Sequence, residues 1–451
     1  MSASNPASHG SRRRVVITGI GVVSPLGIGV QSFLEALKAK RSGVDVITDV
    51  MDASAAPGNV GGEIPGFDDG VTKEAMPKKQ RKFIKVMCRE IELGVVSALH
   101  AVEHSGLDLD AIDRSRMGVD FGANLMFSPP HVLAEPAVVC CDPRPTEAHE
   151  SGLVPRFDLD RWGSQGMKML EPLWLLNYLP NMPACHIGIA LDARGPSNSL
   201  TMGGASGNLA LSEAARIIER GRADVMVAGT TGTHLHPVRT LNVELFGDLA
   251  DGDGPPGSWC KPWDAHRSGQ VVGEAACTVI LEEREHAEAR GATIYGELLG
   301  FGSGCVSTLN ATGQLAKAYA VAGRAALRDA DLSPADLGHV NGHGVGTRDA
   351  DAEECRGLSD LLAGAPVPIT GLKGFTGNAG SGSGVQELVA SLLMLREGLI
   401  PVCLNHDSAD GDCGELQFVA GDHRPDGGNK VFLNLNGTRG GQASAAIVRA
   451  E

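Results

Sequence analysis

Short strand-like runs alternate with helix-like runs along nearly the whole chain, and this order restricts the fold more than any other feature of the sequence. In the first half "RVVITGIGVV" precedes "QSFLEALKAK", "MGVDFGANL" follows, and "NLALSEAARIIERG" precedes "ADVMVAGTT". A second series begins near Trp263, with "ACTVILEE", "ATIYGELLGFGSG", "LAKAYAVAGRAALRDA", "LGHVNGHG", "DAEECRGLSDLLAG", "VPITGLKG" and "VQELVASLLMLREG". Strands joined through helices pair in parallel, and the helices cover the sheet faces. A chain of 451 residues exceeds one ordinary core, so two α/β halves of similar size are expected. The boundary is expected at 259/260, after the Gly- and Pro-rich stretch "FGDLADGDGPPGSW". Residues 1–12 read as a disordered lead-in, and 138–166 as an excursion from the first half.

Charge and cysteine usage remove several function classes. The formal charge of −15 argues against a nucleic-acid surface, which needs clustered Lys and Arg, although a local basic patch could dock an acidic partner. No apolar run reaches the roughly 18 residues of a membrane helix, and "MSASNPASHGSRRR" lacks the apolar centre of a signal peptide. The ten cysteines are scattered without metal-ligand spacing, which reads as reduced thiols in the cytoplasm. His234 and His236 in "THLHP" could share one strand face, but no third ligand has suitable spacing, so no metal site is expected. Gly19-Ile20-Gly21 follows a strand as a dinucleotide loop would; the next position in register is Ser24 rather than glycine, and no nicotinamide cofactor is expected.

The stretch "RGPSNSLTMGGASGNLALSEA" has the layout of an enzyme nucleophile turn. A strand-like run, Ser197 to Met202, meets Gly203, Gly204 and Ala205, and a helix-like run, Leu209 to Ile218, follows. Such turns lift one side chain toward substrate, beside a helix N-terminus that favours negative charge. Here the tip carries no side chain. Ser206 is the nearest hydroxyl and is expected to cap the helix; Cys185 is expected to pack in the core.

The opening run "RRRVVITGIGVVSPLGIGV" and five further blocks in order, "LPNMPACHIGIALDARGPSNSL", "CKPWDAHRSGQVVGEAACTVILEEREHAEARGATIYGELLGFG", "VNGHGVGTRDADAEE", "LKGFTGNAGSGSGVQE" and "NLNGTRGGQAS", resemble the β-ketoacyl-acyl-carrier-protein synthases. The resemblance runs from about Arg13 to Ile447. It implies a thiolase-like fold, two βαβαβαββ halves in five α-β-α-β-α layers, and at least a dimer, homomeric or heteromeric. It also implies an acyl carrier protein or an acyl thioester as partner. In that family the turn displays a nucleophilic cysteine; Gly204 stands at its place and cannot take an acyl group. His343 matches the first family histidine, Asn378 replaces the second, and Lys373 and Glu387 match the family's buried lysine and acid. Leu433 and Leu435 occupy positions of gating phenylalanines, with Asn434 and Asn436 where glycines are usual.

Three readings follow from this pattern. The chain is a non-condensing partner of an active synthase, like the chain-length factors of polyketide systems. Alternatively it decarboxylates malonyl carrier, or joins acyl groups without a covalent intermediate, through His343, Asn378 and the Gly204 N–H. The third reading is a binding or scaffold protein without chemistry.

Overall fold

The computed structural model describes residues 12–52, 59–142, 148–149, 152–153, 156–246, 248–310 and 312–451. Most of the lead-in and much of the 138–166 excursion therefore lie outside the described residues. Each half runs β-α-β-α-β-α-β-β. The first comprises β1 (Val15–Ser24), α1 (Arg89–His104), β2 (Met117–Ala123), α2 (Met182–Leu191), β3 (Ser197–Leu200), α3 (Ser206–Glu219), β4 (Val225–Thr233) and β5 (Val272–Glu283). The second comprises β6 (Gly296–Cys305), α4 (Leu315–Ala330), β7 (His339–Asn341), α5 (Arg348–Leu362), β8 (Pro368–Thr370), α6 (Ser383–Arg396), β9 (Val431–Thr438) and β10 (Gln442–Ala450).

Strand order is β3-β2-β4-β5-β1 in the first half and β8-β7-β9-β10-β6 in the second, the same permutation, with the short strand Gln417–Phe418 added outside β8. The halves join where β1 meets β6, pairing Val15 with Leu298 and Ile17 with Gly296. Helices α3 and α6 fill the layer between the sheets, α1 and α2 cover one outside, and α4 and α5 the other. This is the five-layered thiolase-like arrangement. Helix α6 is covered on every side: Ser383 through Leu395 are all buried. Its leucines and valines each contribute about 1.5–3 kcal/mol relative to an exposed position.

One sequence expectation shifts. The cut at 259/260 moves, because β5 returns after the Gly/Pro-rich loop to lie antiparallel between β4 and β1; the sheets divide between Glu283 and Gly296. The glycines that suggested a dinucleotide loop lie inside β1, where a Cβ on Gly21 would run into the α1 backbone at Ser97. Gly302 of β6 meets α4 at Ala322 in the same way, so both halves repeat one close strand–helix approach. Among the described residues no helix is long and apolar enough to cross a membrane.

Buried amides fasten α3 to the second sheet. Asn208 Nδ2 faces the Asn434 carbonyl at 3.2 Å, Asn436 Oδ1 at 3.0 Å and the Ser444 carbonyl at 3.1 Å. Asn208→Ala strands these acceptors in the interior and should cost about 1–3 kcal/mol. Urea denaturation should show a lower midpoint with an unchanged slope.

Candidate functional site

Two strand–turn–helix units face each other across the interface of the halves. The turn between β3 and α3 holds Gly203 at φ +53°, the left-handed region that favours glycine. The Ser381 hydroxyl, from the turn before α6, donates to the Gly203 carbonyl at 3.0 Å and lies 3.2 Å from Ser206 Oγ. Gly203–Ala205 wind directly into α3, so the helix begins at Ser206, earlier than its apolar periodicity suggests. Ser206 is consequently inside the helix and caps nothing: its buried hydroxyl accepts the Met202 N–H at 2.9 Å. It does not line the cavity beside Gly204, so no ligand held there touches it.

That cavity measures about 260 Å³ and is bordered by Gly203, Gly204, His343, Asn378, Gln270 and Tyr319, among others. His343 enters on the loop after β7. Glu354 of α5 accepts the backbone N–H groups of His343 at 2.6 Å and Gly344 at 2.8 Å, and Asp351 accepts those of Val345 and Gly346. Burial pushes these carboxyls up, to about 8 for Glu354 and about 6 for Asp351.

Lys373 locks the imidazole from behind. Its ammonium lies 2.6 Å from Glu387 Oε1, 2.5 Å from the His343 carbonyl and 3.1 Å from His343 Nδ1, which uses its three N–H bonds. Asn436 Nδ2 donates to the other Glu387 oxygen at 2.5 Å and lies 3.5 Å from His343 Nδ1. Both neighbours of Nδ1 are donors, so Nδ1 accepts and Nε2 carries the proton toward Gly204. Burial, followed by the charge of Lys373, holds His343 well below the ordinary imidazole range. His343 is thus a fixed neutral donor.

Around Gly204 the packing is tight. A Cβ placed there would lie 2.6 Å from the Gly437 carbonyl oxygen and 3.0 Å from His343 Cε1. Asn378 borders the cavity, with Nδ2 donating to Gln270 Oε1 at 2.7 Å and Oδ1 accepting the Gly380 N–H at 3.0 Å. One amide N–H remains for a ligand.

Leu433 and Leu435 do not gate this space. Strand alternation along β9 points them into the second half's outer core, beside Tyr319 and Leu361. Cys185 is exposed on α2 rather than packed inside. His236 Nδ1 accepts the Val238 N–H at 3.2 Å and caps the short helix Pro237–Leu245, while His234 borders the cavity, held neutral by burial. Among the described residues no three His, Cys, Asp or Glu side chains gather as a metal site.

The motifs missed Gln270, Tyr319, Asn124 and Arg239, all on the cavity wall. Tyr319 lies on α4, where its apolar neighbours disguise it as a core position. Arg239 is a lone cation soon after the end of β4, and that pattern is legible in the sequence.

The family comparisons agree with this architecture. The profile "Beta-ketoacyl synthase, N-terminal domain" matches residues 12–287, and "Beta-ketoacyl synthase, C-terminal domain" matches 295–407, so the profiles divide near the sheet boundary. The chain belongs to the β-ketoacyl synthase family. It is 30% identical over 443 residues to 3-oxoacyl-[acyl-carrier-protein] synthase 2 of Coxiella burnetii, covering 97% of this chain and 99% of the relative. It is 29% identical over 446 residues to the tetracenomycin polyketide synthase ketoacyl synthase alpha subunit of Streptomyces glaucescens, covering 97% and 98%. Among solved structures, the ishigamide ketosynthase/chain length factor matches with TM-score 0.81 and 25% identity, over 98% of this chain and 100% of the other.

Two outcomes test the geometry. Lys373→Met leaves Glu387 charged in the interior and should cost about 3–5 kcal/mol, with Lys373→Met/Glu387→Gln regaining at least half in thermal or urea unfolding. As pH falls below 6.5, the unfolded chain protonates imidazoles that His343 and His234, the latter lowered to about 3, keep neutral when folded. These two therefore withdraw stability in acid. Nitrogen-15 histidine spectra should show the His343 Nε2–H tautomer unchanged from pH 8 to 5.5.

Proposed function

We propose that this chain is a non-condensing member of its family that works beside a cysteine-bearing synthase and shapes the space or docking surface used by a carrier-bound acyl chain. The observation that carries this reading is the closure at Gly204. The thiol is missing, and the Gly437 carbonyl stands so close that any side chain there requires the backbone to move. A cysteine lost in isolation would leave its pocket open.

Other features agree. Lys78, Lys79, Arg81, Lys82 and Lys85 form an exposed basic ridge on a chain of net charge −15, suited to an acidic carrier and its phosphate-bearing arm. Among the described residues strand β3 ends the first sheet and pairs only with β2. An unpaired edge is a template for a second chain. The matched ketosynthase/chain length factor is itself named for a pairing of the two types.

Co-expression with a cysteine-bearing family member should yield a one-to-one complex on native mass spectrometry. Condensation from malonyl carrier should then vanish when the partner's cysteine is replaced and survive His343→Ala in this chain. Ketoacyl product from this chain alone would overturn the reading. Gly204→Ala should lose about 1–3 kcal/mol in unfolding experiments through overpacking, and Gly204→Cys should resist acylation by an acyl-carrier thioester.

A further inference from the structure

Helix α4 reaches the cavity through one large side chain, Tyr319, which is buried between the helix and the second sheet. Its root stands against α5, where a Cβ on Gly357 would lie 3.0 Å from Tyr319 Cβ. Its hydroxyl end stands against β9, where a Cβ on Gly437 would lie 2.5 Å from the phenol oxygen and 2.7 Å from Cζ. Gly437 does not adopt the left-handed backbone that favours glycine. What bars a side chain there is the phenol.

The same residue meets Gly204 through its carbonyl. Strand β7 pairs with β9 only as far as Asn341, opposite Asn434. Past that point β9 borders the cavity, and the Gly437 carbonyl oxygen would lie 2.6 Å from a Cβ on Gly204. The turn and the phenol occupy opposite faces of the strand: a Cβ on Gly203 would meet the Thr438 methyl at 3.2 Å, whereas the neighbouring Gly437 presents its bare face to Tyr319. His343, the other near wall, is held in place by Lys373. Room at Gly204 therefore comes from a shift of Gly437 by a fraction of an ångström, and Tyr319 stands behind it. Interiors as dense as crystals transmit such a contact across a strand.

We infer that Tyr319 is a positioning residue that sets the room at Gly204: it buttresses β9 from outside and holds the Gly437 carbonyl against the turn. The inference rests on the reading of a non-condensing chain and deepens it, because it names the side chain that maintains the closure. Tyr319→Ala removes the buttress and lets β9 relax away from the turn. Tyr319→Phe keeps the ring, removes the atom nearest Gly437 and gives a smaller relaxation.

Iodoacetamide labelling of the full chain carrying Gly204→Cys measures that room. The thiolate displaces iodide, an S–C bond forms and the thiol proton passes to buffer, and peptide mass spectrometry reads the rate at position 204. Labelling should be slow in Gly204→Cys, at least tenfold faster in Tyr319→Ala/Gly204→Cys, and intermediate in Tyr319→Phe/Gly204→Cys. Exposed Cys185 should react equally in all three, and buried Cys277 in none. Equally slow rates at position 204 would overturn the inference and leave the closure at Gly204 standing. Fast labelling with Tyr319 present would overturn the closure as well, and a gain at position 204 matched by one at Cys277 would reduce Tyr319 to a general packing role. Unfolding gives a second answer without a new thiol. The fall in urea midpoint caused by Gly204→Ala should be at least halved in the Tyr319→Ala background and reduced in the Tyr319→Phe background. An unchanged fall overturns the inference even where Gly204→Cys does not fold.

Discussion

The ion pair between Lys373 and Glu387, 2.6 Å apart and shut off from solvent, governs the organisation of the site. Glu387 belongs to α6, the helix enclosed between the sheets, and Lys373 to the turn that precedes it. Their contact fixes the turn against the helix, and the remaining N–H bonds of the ammonium fix the His343 loop. A buried pair of this kind adds little net stability compared with packed hydrocarbon. Its contribution is positional: it dictates which nitrogen of His343 faces the cavity. The electrostatic frame behind Gly204 is therefore fully built.

The alternation of strands and helices made the layered architecture legible, and the ordered motifs identified the family. The doubling of the fold was harder to see. Gly21 and Gly302 occupy equivalent strand–helix contacts, yet "ITGIGVV" and "LLGFGSG" share little beyond glycine spacing. The Gly/Pro-rich loop looks like a divider but is not one, because the strand after it returns to the first sheet. Chain order does not show which strand a returning segment will pair with.

Gly204, His343, Asn378, Lys373 and Glu387 converge at one place, as their motifs implied. Ser206, Leu433 and Leu435 do not, and local geometry explains each. A helix that starts three residues early buries the Ser206 hydroxyl, and two-residue alternation turns both leucines toward α4 and α5. Asn124, Arg239 and Tyr319 had no motif to announce them, since they reach the cavity from segments nearly 200 residues apart in sequence. Their chemistry is polar and cationic, so the character of the space depends on residues outside the recognisable blocks.

Among the described residues strand β3 is both the free edge of the first sheet and the stem of the turn that carries Gly204. Only Thr201, Met202 and Gly203 separate its last residue from that glycine. A strand laid along this edge would bear on the turn through a few stiff peptide units, with no loop between to absorb a displacement. The sheet edge and the cavity are thereby mechanically coupled: a displacement of β3 reaches the point where the Gly437 carbonyl bears on Gly204.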